Sequence, residues 1–339
     1  MPKSTIKQIS FNNHQDVFAV ASDDGIHIIN VKPVYEMKHI KTKQIGSVRL
    51  VALRDRTNLV AFVSGNPMPK YASNVVMIYD LQKNKPIVDI TLDSAIIGIK
   101  FTDSCLVVIQ ERNIQLFDPD SFQWIHTEAT EYNKRALVAV AVDQRSKVLF
   151  YPGRQVGTVK ISDVQKADKL LYKAPSIIRA HENGLTHIVL NTHSTIVATA
   201  SESGTVVKLF ETQTLKLLHT LHRGADTCRL DSLRFSNDAK FLNLSSDKGT
   251  IHVFYLGHGA PKMFNGRITS INKFTMPVTG VRTECAFTMN DVKNRGRLDK
   301  DVVAIGYDST YQRYTDSNSN VEDYECLTDV VSRRGFCQF

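Results

Sequence analysis

Apolar and polar positions along this chain alternate, or gather into short β-branched stretches closed by turn residues, and no stretch sustains a helical period. Such runs come in pairs: Val17–Val20 with Gly25–Val31, Val60–Val63 with Val75–Tyr79, and Leu106–Gln110 with Asn113–Phe117. Leu137–Val142 with Val148–Tyr151 continues the rhythm, and Val302–Tyr307 carries it towards the end. Each pair predicts two strands of one small antiparallel sheet, so the expected fold class is all-β.

Two of the paired runs are copies of one unit. Ser201-Glu202-Ser203-Gly204-Thr205 leads into Val206–Phe210, and Ser246-Asp247-Lys248-Gly249-Thr250 leads into Ile251–Phe254. A weaker copy ends in Gly157-Thr158-Val159-Lys160-Ile161, placing its glycine 47 residues before Gly204, which lies 45 before Gly249. A period in that range marks a propeller blade of roughly 40 to 50 residues. The 339 residues then make a single domain, a seven-bladed β-propeller of WD40-like type, with blades near 1–42, 43–92, 93–130, 131–179, 180–222, 223–278 and 279–339. Connections longer than a hairpin turn are expected at Gly65–Asn74 and Gly257–Lys273, and a polar loop at Thr315–Asn320. Long loops on a rigid scaffold commonly carry function.

Composition narrows the functional classes. The five cysteines (Cys105, Cys228, Cys285, Cys326, Cys337) form no C-x-x-C pair, so neither a disulfide framework nor a zinc site is expected, and no metal is assigned. No apolar run is long enough to span a bilayer, and Met1–Thr5 is followed by no signal-type apolar region, which points to the cytoplasm. A net charge of +8 favours anionic partners. Aromatic stacking platforms beside basic turns are not evident, which argues against nucleic acid. No nucleophile elbow, P-loop or H-E-x-x-H motif occurs, so no enzyme and no cofactor are expected. The basic residues Asn133-Lys134-Arg135, with Arg145 and Lys147, read as a solvated face.

Between the two strong repeats lies the basic turn Leu221-His222-Arg223-Gly224. Hydroxyls of such turns commonly satisfy backbone groups and nothing else. Two copies flanking one basic turn favour a different role, a pair of adjacent anion pockets. Phosphate monoesters suit this chemistry, because they take charge-assisted hydrogen bonds from a cation together with neutral hydroxyl and imidazole donors.

These repeats, the run Gly249–Phe254, the second-blade segment Asn66–Asp80 and the position of Leu221–Gly224 resemble the PROPPINs, propellers of yeast autophagy and vacuole proteins with animal WIPI relatives. The resemblance covers most of the chain. The family carries Phe or Leu followed by Arg-Arg-Gly at that turn, and here His222 replaces the first arginine. It implies a first headgroup pocket of His181, Ser201, Thr205, Lys208 and His222, and a second of Arg223, Arg229, Ser245, Ser246, Thr250 and His252. It further implies that Met263, Phe264, Ile268 and Ile271 of the sixth-blade loop enter the membrane beside Lys262, Arg267 and Lys273. The ligands implied are phosphatidylinositol 3-phosphate and phosphatidylinositol 3,5-bisphosphate. The protein is then a monomeric adaptor, peripheral on endosomal, vacuolar or pre-autophagosomal membranes, acting in autophagy, including selective or nuclear microautophagy, or in vacuolar and endosomal traffic. Pro67–Tyr71 resembles the family's region for an autophagy protein partner. The alternative is a WD40-like scaffold for protein complexes that binds no lipid.

Overall fold

The computed structural model describes residues 5–143, 146–164, 176–257, 259–263, 265–289, 300–315 and 321–327. Within these the strands assemble into seven sheets, six of four strands and one of five. In the first four sheets, and in the first four strands of the fifth, the strands follow chain order and pair antiparallel with their sequence neighbours, as short hairpin connections require. The chain is all-β in the manner of a seven-bladed β-propeller; the one helix among the described residues is the single turn Thr42–Ile45. No helix there is long and apolar enough to cross a membrane.

The described parts of Met1–Ala129, Thr288–Arg313 and Val321–Phe339 form one compact unit, and those of Thr130–Phe287 and Tyr314–Asn320 form another. In the first, the sheets Ile6–Phe11 to Tyr35–Lys41, Gly46–Leu53 to Lys85–Thr91 and Ile96–Phe101 to Trp124–Ala129 pack through two apolar clusters. In the second, the sheet of Ala139–Asp143, Ser146–Pro152, Thr158–Asp163 and Ser176–Arg179 packs on the fifth, and the fifth on the sixth. The fifth holds Leu185–Leu190, Ile196–Ser201, Val206–Glu211 and Leu217–His222; the sixth holds Leu230–Phe235, Phe241–Ser246, Thr250–Tyr255 and Asn272–Thr275. The seventh sheet comprises Thr283–Met289, Lys300–Gly306, Thr310–Tyr314 and Val321–Cys326.

The strand pairs expected from the hydrophobic pattern are present, although the strand after Leu137 begins at Ala139. The long connections differ from expectation. Residues 65–69 are not loop: the strand Leu59–Pro69 continues through them, with Pro69 opposite Gly46 and the Met68 N–H donating to Ser47 Oγ at 3.3 Å. Paired backbone keeps this exposed stretch extended although its side chains find no core. The loop from Gly257 also contains structure, since Ile268–Thr269 pairs parallel with Leu221–His222 and becomes the fifth strand of the fifth sheet. Ile268 explains why: only 1% exposed, it completes the apolar cluster of Leu221, Leu230, Leu244 and Phe254. Residues 316–320 of the expected polar loop lie outside the described residues.

The recurrent glycine has a steric cause. Gly157 and Gly204 both sit at positive φ, 73° and 63°. A Cβ on Gly157 would come 1.8 Å from His181 O, and one on Gly204 would come 2.2 Å from Cys228 O. In each copy the turn therefore presses against the segment that enters the next sheet, and only glycine permits both the conformation and the approach.

Gly204→Ala is expected to lower stability by roughly 2 kcal/mol or more, the sum of left-handed strain and displacement of the Cys228 carbonyl. Urea unfolding of the intact chain measures this, and an unchanged midpoint would show that the turn relaxes freely.

Candidate anion-binding site

The two strong repeats lie in sheets five and six of one compact unit, sharing an apolar cluster that fixes their turns side by side. Strand pairing presents hydroxyls, imidazoles and cations there in two groups.

In the first group, the His181 main-chain N–H donates to Gly157 O at 3.0 Å, anchoring the residue just before the fifth sheet. Its ring Nε2 lies 3.0 Å from Thr199 Oγ1, and that hydroxyl donates to Lys208 O at 3.3 Å. With the hydroxyl proton committed to a carbonyl, His181 Nε2–H must be the donor to Thr199. Burial pushes this imidazole down to about 4, opposed by the Thr199 bond and aided by the nearby charge of Lys208. A neutral imidazole next to a lysine is thus held in place. On the adjoining turn, hydroxyl oxygens run from Ser201 to Ser203 at 3.0 Å and from Ser203 to Thr205 at 3.4 Å.

The basic turn follows directly. His222 ends its strand opposite Val206 on one side and Thr269 on the other, and its Nδ1 is buried with no hydrogen-bond partner. Unsatisfied buried polar atoms are uncommon, so this one marks a place where a further group would be accommodated. Arg223 donates its main-chain N–H to Thr205 O at 2.9 Å and Nε–H to Gly204 O at 3.0 Å, while Nη2 reaches Asp226 O. These bonds set the guanidinium plane and leave the rest of its fork for an anion.

In the second group, Ser246 Oγ and Thr250 Oγ1 are 3.1 Å apart, and His252 Nδ1 lies 3.3 Å from Ser270 Oγ. His252 faces Lys273 across the sheet. Burial pushes the His252 imidazole down to about 4, reinforced by Lys273 and then Arg223. Arg223 therefore lies close enough to His252 to act on it electrostatically.

Several expected site residues are placed elsewhere. Ser245 is fully buried and donates to Thr283 O at 2.9 Å, because strand alternation turns it away from Ser246 and into the core. Arg229 is engaged by Asp231, Nε to Oδ1 at 2.8 Å, which compensates its charge. Ile268 is buried in the cluster between the sheets and is not available to a bilayer. Phe264 lies outside the described residues. Met263 and Ile271 are exposed, 40% and 38%. Met263 sits in a tight turn closed by its own N–H donating to Arg267 O at 2.7 Å and by Gly266 N–H donating to Met263 O at 2.9 Å, with Lys262 and Arg267 alongside.

Thr199, Ser270 and Lys273 belong to the two groups but were not among the expected pocket residues. Thr199 could have been found from the sequence, since it shares a strand face with Ser201 two positions on. Lys273 could not, because the register that sets it against His252 depends on where the strand resumes after the Gly257 loop.

The PROPPIN family model matches residues 5–269. "SVP1-like protein 2" of Pichia angusta is 30% identical over 257 residues, spanning 75% of this chain and 70% of the relative. "Autophagy-related protein 18" of Mycosarcoma maydis is 28% identical over 286 residues, spanning 79% of this chain and 62% of the relative. The solved structure of Hsv2 from Kluyveromyces lactis, with its complete loop 6CD, is similar with a TM-score of 0.76 at 22% identity, covering 95% of this chain and 99% of that chain. The structural likeness carries the propeller fold.

The two depressed imidazoles make stability depend on pH. In the unfolded chain both take up protons below their ordinary 6.5, whereas in the folded chain they stay neutral until about 4. The unfolded state binds more protons across that window, so stability is full above it and falls as pH drops through it. Allowing for solvent screening of these partly exposed rings, each costs about 1 kcal/mol between pH 7.5 and pH 5.5. Urea unfolding at both pH values should show the wild type losing about 2 kcal/mol more than a His181→Asn/His252→Asn variant. Equal losses would show that neither imidazole is held neutral by burial.

Proposed function

The chain belongs to the PROPPIN family, non-enzymatic lipid-binding β-propellers of autophagy, and we propose that it docks reversibly on membranes through two phosphoinositide headgroup pockets. The first comprises His181, Thr199, Ser201, Thr205 and Lys208 with His222; the second comprises Arg223, Ser246, Thr250, His252, Ser270 and Lys273. One observation carries this reading. Each group sets a neutral imidazole and fixed hydroxyls beside a cation of its own, Lys208 acting on His181 and both Lys273 and Arg223 acting on His252. Donors fixed before binding lose little entropy when a phosphate arrives.

Phosphatidylinositol 3-phosphate and phosphatidylinositol 3,5-bisphosphate are the ligands this reading assigns, on endosomal, vacuolar or pre-autophagosomal membranes. The two pockets act together, because lipids in one plane give the second a high effective concentration once the first is filled. Met263, with Lys262 and Arg267, adds a shallow contact; each basic residue near an anionic surface is worth about 1 kcal/mol. The propeller works as one monomeric unit in this role. Its second-blade segment Pro67 to Tyr71 is the place this reading assigns to an autophagy protein partner, with Met68 60% exposed.

Liposome co-sedimentation at matched surface charge tests the lipid reading, using vesicles with phosphatidylinositol 3-phosphate, phosphatidylinositol 3,5-bisphosphate or phosphatidylserine. The wild type should prefer the 3-phosphorylated lipids, and Lys208→Ala combined with Lys273→Ala should abolish that preference while leaving the unfolding midpoint in place. Arg223→Thr should do the same, with some loss of stability from its bonds to the Gly204 and Asp226 carbonyls. Equal binding to all three vesicles would return the chain to the scaffold alternative.

His222 gives a gain-of-function test. Restoring a guanidinium there adds a charge-assisted hydrogen bond of about 1.5–3 kcal/mol, so His222→Arg should tighten vesicle binding at least tenfold by the same co-sedimentation. An unchanged affinity would mean that the turn does not reach the headgroup.

A further inference from the structure

The first sheet gathers a set of metal-ligating side chains that play no part in either anion group. His27 and His39 stand directly opposite each other on strands Gly25–Asn30 and Tyr35–Lys41, their rings stacked with centroids 4.0 Å apart. Asp24, in the turn that opens the first of these strands, lies against both: its Oδ2 is 3.4 Å from His27 Nε2 and its Oδ1 is 3.5 Å from His39 Nε2. One ligand atom from each of the three residues falls within 4.8 Å of the others.

Those separations are too long for close charge-assisted hydrogen bonds, which run at about 2.7–2.9 Å. They match the edge of a tetrahedral zinc site, where metal–ligand bonds of about 2.0–2.2 Å put neighbouring ligand atoms roughly 3.3 Å apart. A fourth residue supports the set from behind. Glu36, its side chain only 2% exposed, has Oε1 2.7 Å from His27 Nδ1. The Nδ1–H donates to that carboxylate, which turns His27 Nε2 towards Asp24, an arrangement metal-binding histidines commonly share. The His39 Nε2–H donates to Asp24 O at 3.2 Å, so binding an ion would require this proton to move to Nδ1. Asp24, with its side chain 47% exposed, provides the entrance, while the imidazole rings are shielded.

We propose that Asp24, His27 and His39 form a site for a divalent transition-metal ion, best suited to Zn2+, with water as the remaining ligand and Glu36 orienting His27. Such an ion would join the turn at Asp24 to the outer strand Tyr35–Lys41. The sequence hides the site, because its ligands are histidines brought together by strand register and not cysteines at a telling spacing.

The test uses the full chain, stripped of metal by chelation and then titrated with Zn2+ in competition with a chromophoric chelator. Co2+ in place of Zn2+ reports geometry through its visible absorption. The expected result is one equivalent of Zn2+ per chain, with affinity falling at least tenfold in Asp24→Asn and in His39→Gln. Glu36→Gln should weaken binding roughly 10-fold to 100-fold, the usual effect of removing such a support. Circular dichroism establishes that each variant is folded, and Asp24→Asn, the most exposed position, is the least disruptive of them. Zn2+ should also raise the melting temperature of the wild type and not of Asp24→Asn. No stoichiometric binding, or binding that Asp24→Asn and His39→Gln leave unchanged, overturns the proposal.

Discussion

Burial of both faces of each central strand is the constraint on which the rest of this structure depends. Val60, Ala61, Phe62 and Val63 are all fully buried, but alternate residues serve different cores. Val60 and Phe62 pack with Ile26 and Val48 towards the first sheet, while Ala61 and Val63 pack with Ile96 and Val108 towards the third. The same division recurs at Val197 against Ala198 and Ala200. A sheet with two apolar faces has no stable existence alone, so each requires its neighbours, and stability accrues by stacking. The repeating turn glycine serves that stacking by letting one sheet's turn close onto the strand entry of the next.

The candidate site inherits its rigidity from this packing. His181 is held by the backbone of Gly157 in the preceding sheet, and Arg223 by the carbonyl of Gly204 in its own. The returning segment Ile268–Thr269 adds a strand to the fifth sheet, and Ile268 seals the cluster beneath the basic turn. Segments that would be free loops on composition alone are thus fixed by one pairing and one buried side chain.

Electrostatics then separates cations by what faces them. Arg229 lies against Asp231 and Arg135 against Glu202, so both serve the protein's own structure. Lys208, Lys273 and Arg223 instead border imidazoles that burial keeps neutral. The net charge of +8 is common to all of them and does not distinguish these roles. Neutral histidine in both groups adds no repulsion between neighbouring cations. In the first sheet, strand register sets His39 beside His27 and Asp24 instead of beside a cation.

Alternation and turn residues determined the strand pairs, because side-chain period and turn chemistry are local properties that each segment expresses by itself. The spacing of Gly157, Gly204 and Gly249 likewise determined the repeat, and it placed hydroxyls on both sides of a basic turn. Tertiary structure decided where each of those hydroxyls is bonded. Ser245 and Ser246 are adjacent in sequence, yet one is bonded to Thr283 O in the core and the other to Thr250 at the turn. It also decided that Ile268 packs inward while Met263 does not, that Thr199 and Lys273 join the histidines, and that His27 meets His39. Each of these depends on register between strands, and register is fixed by the packing of whole faces, a property no single segment contains.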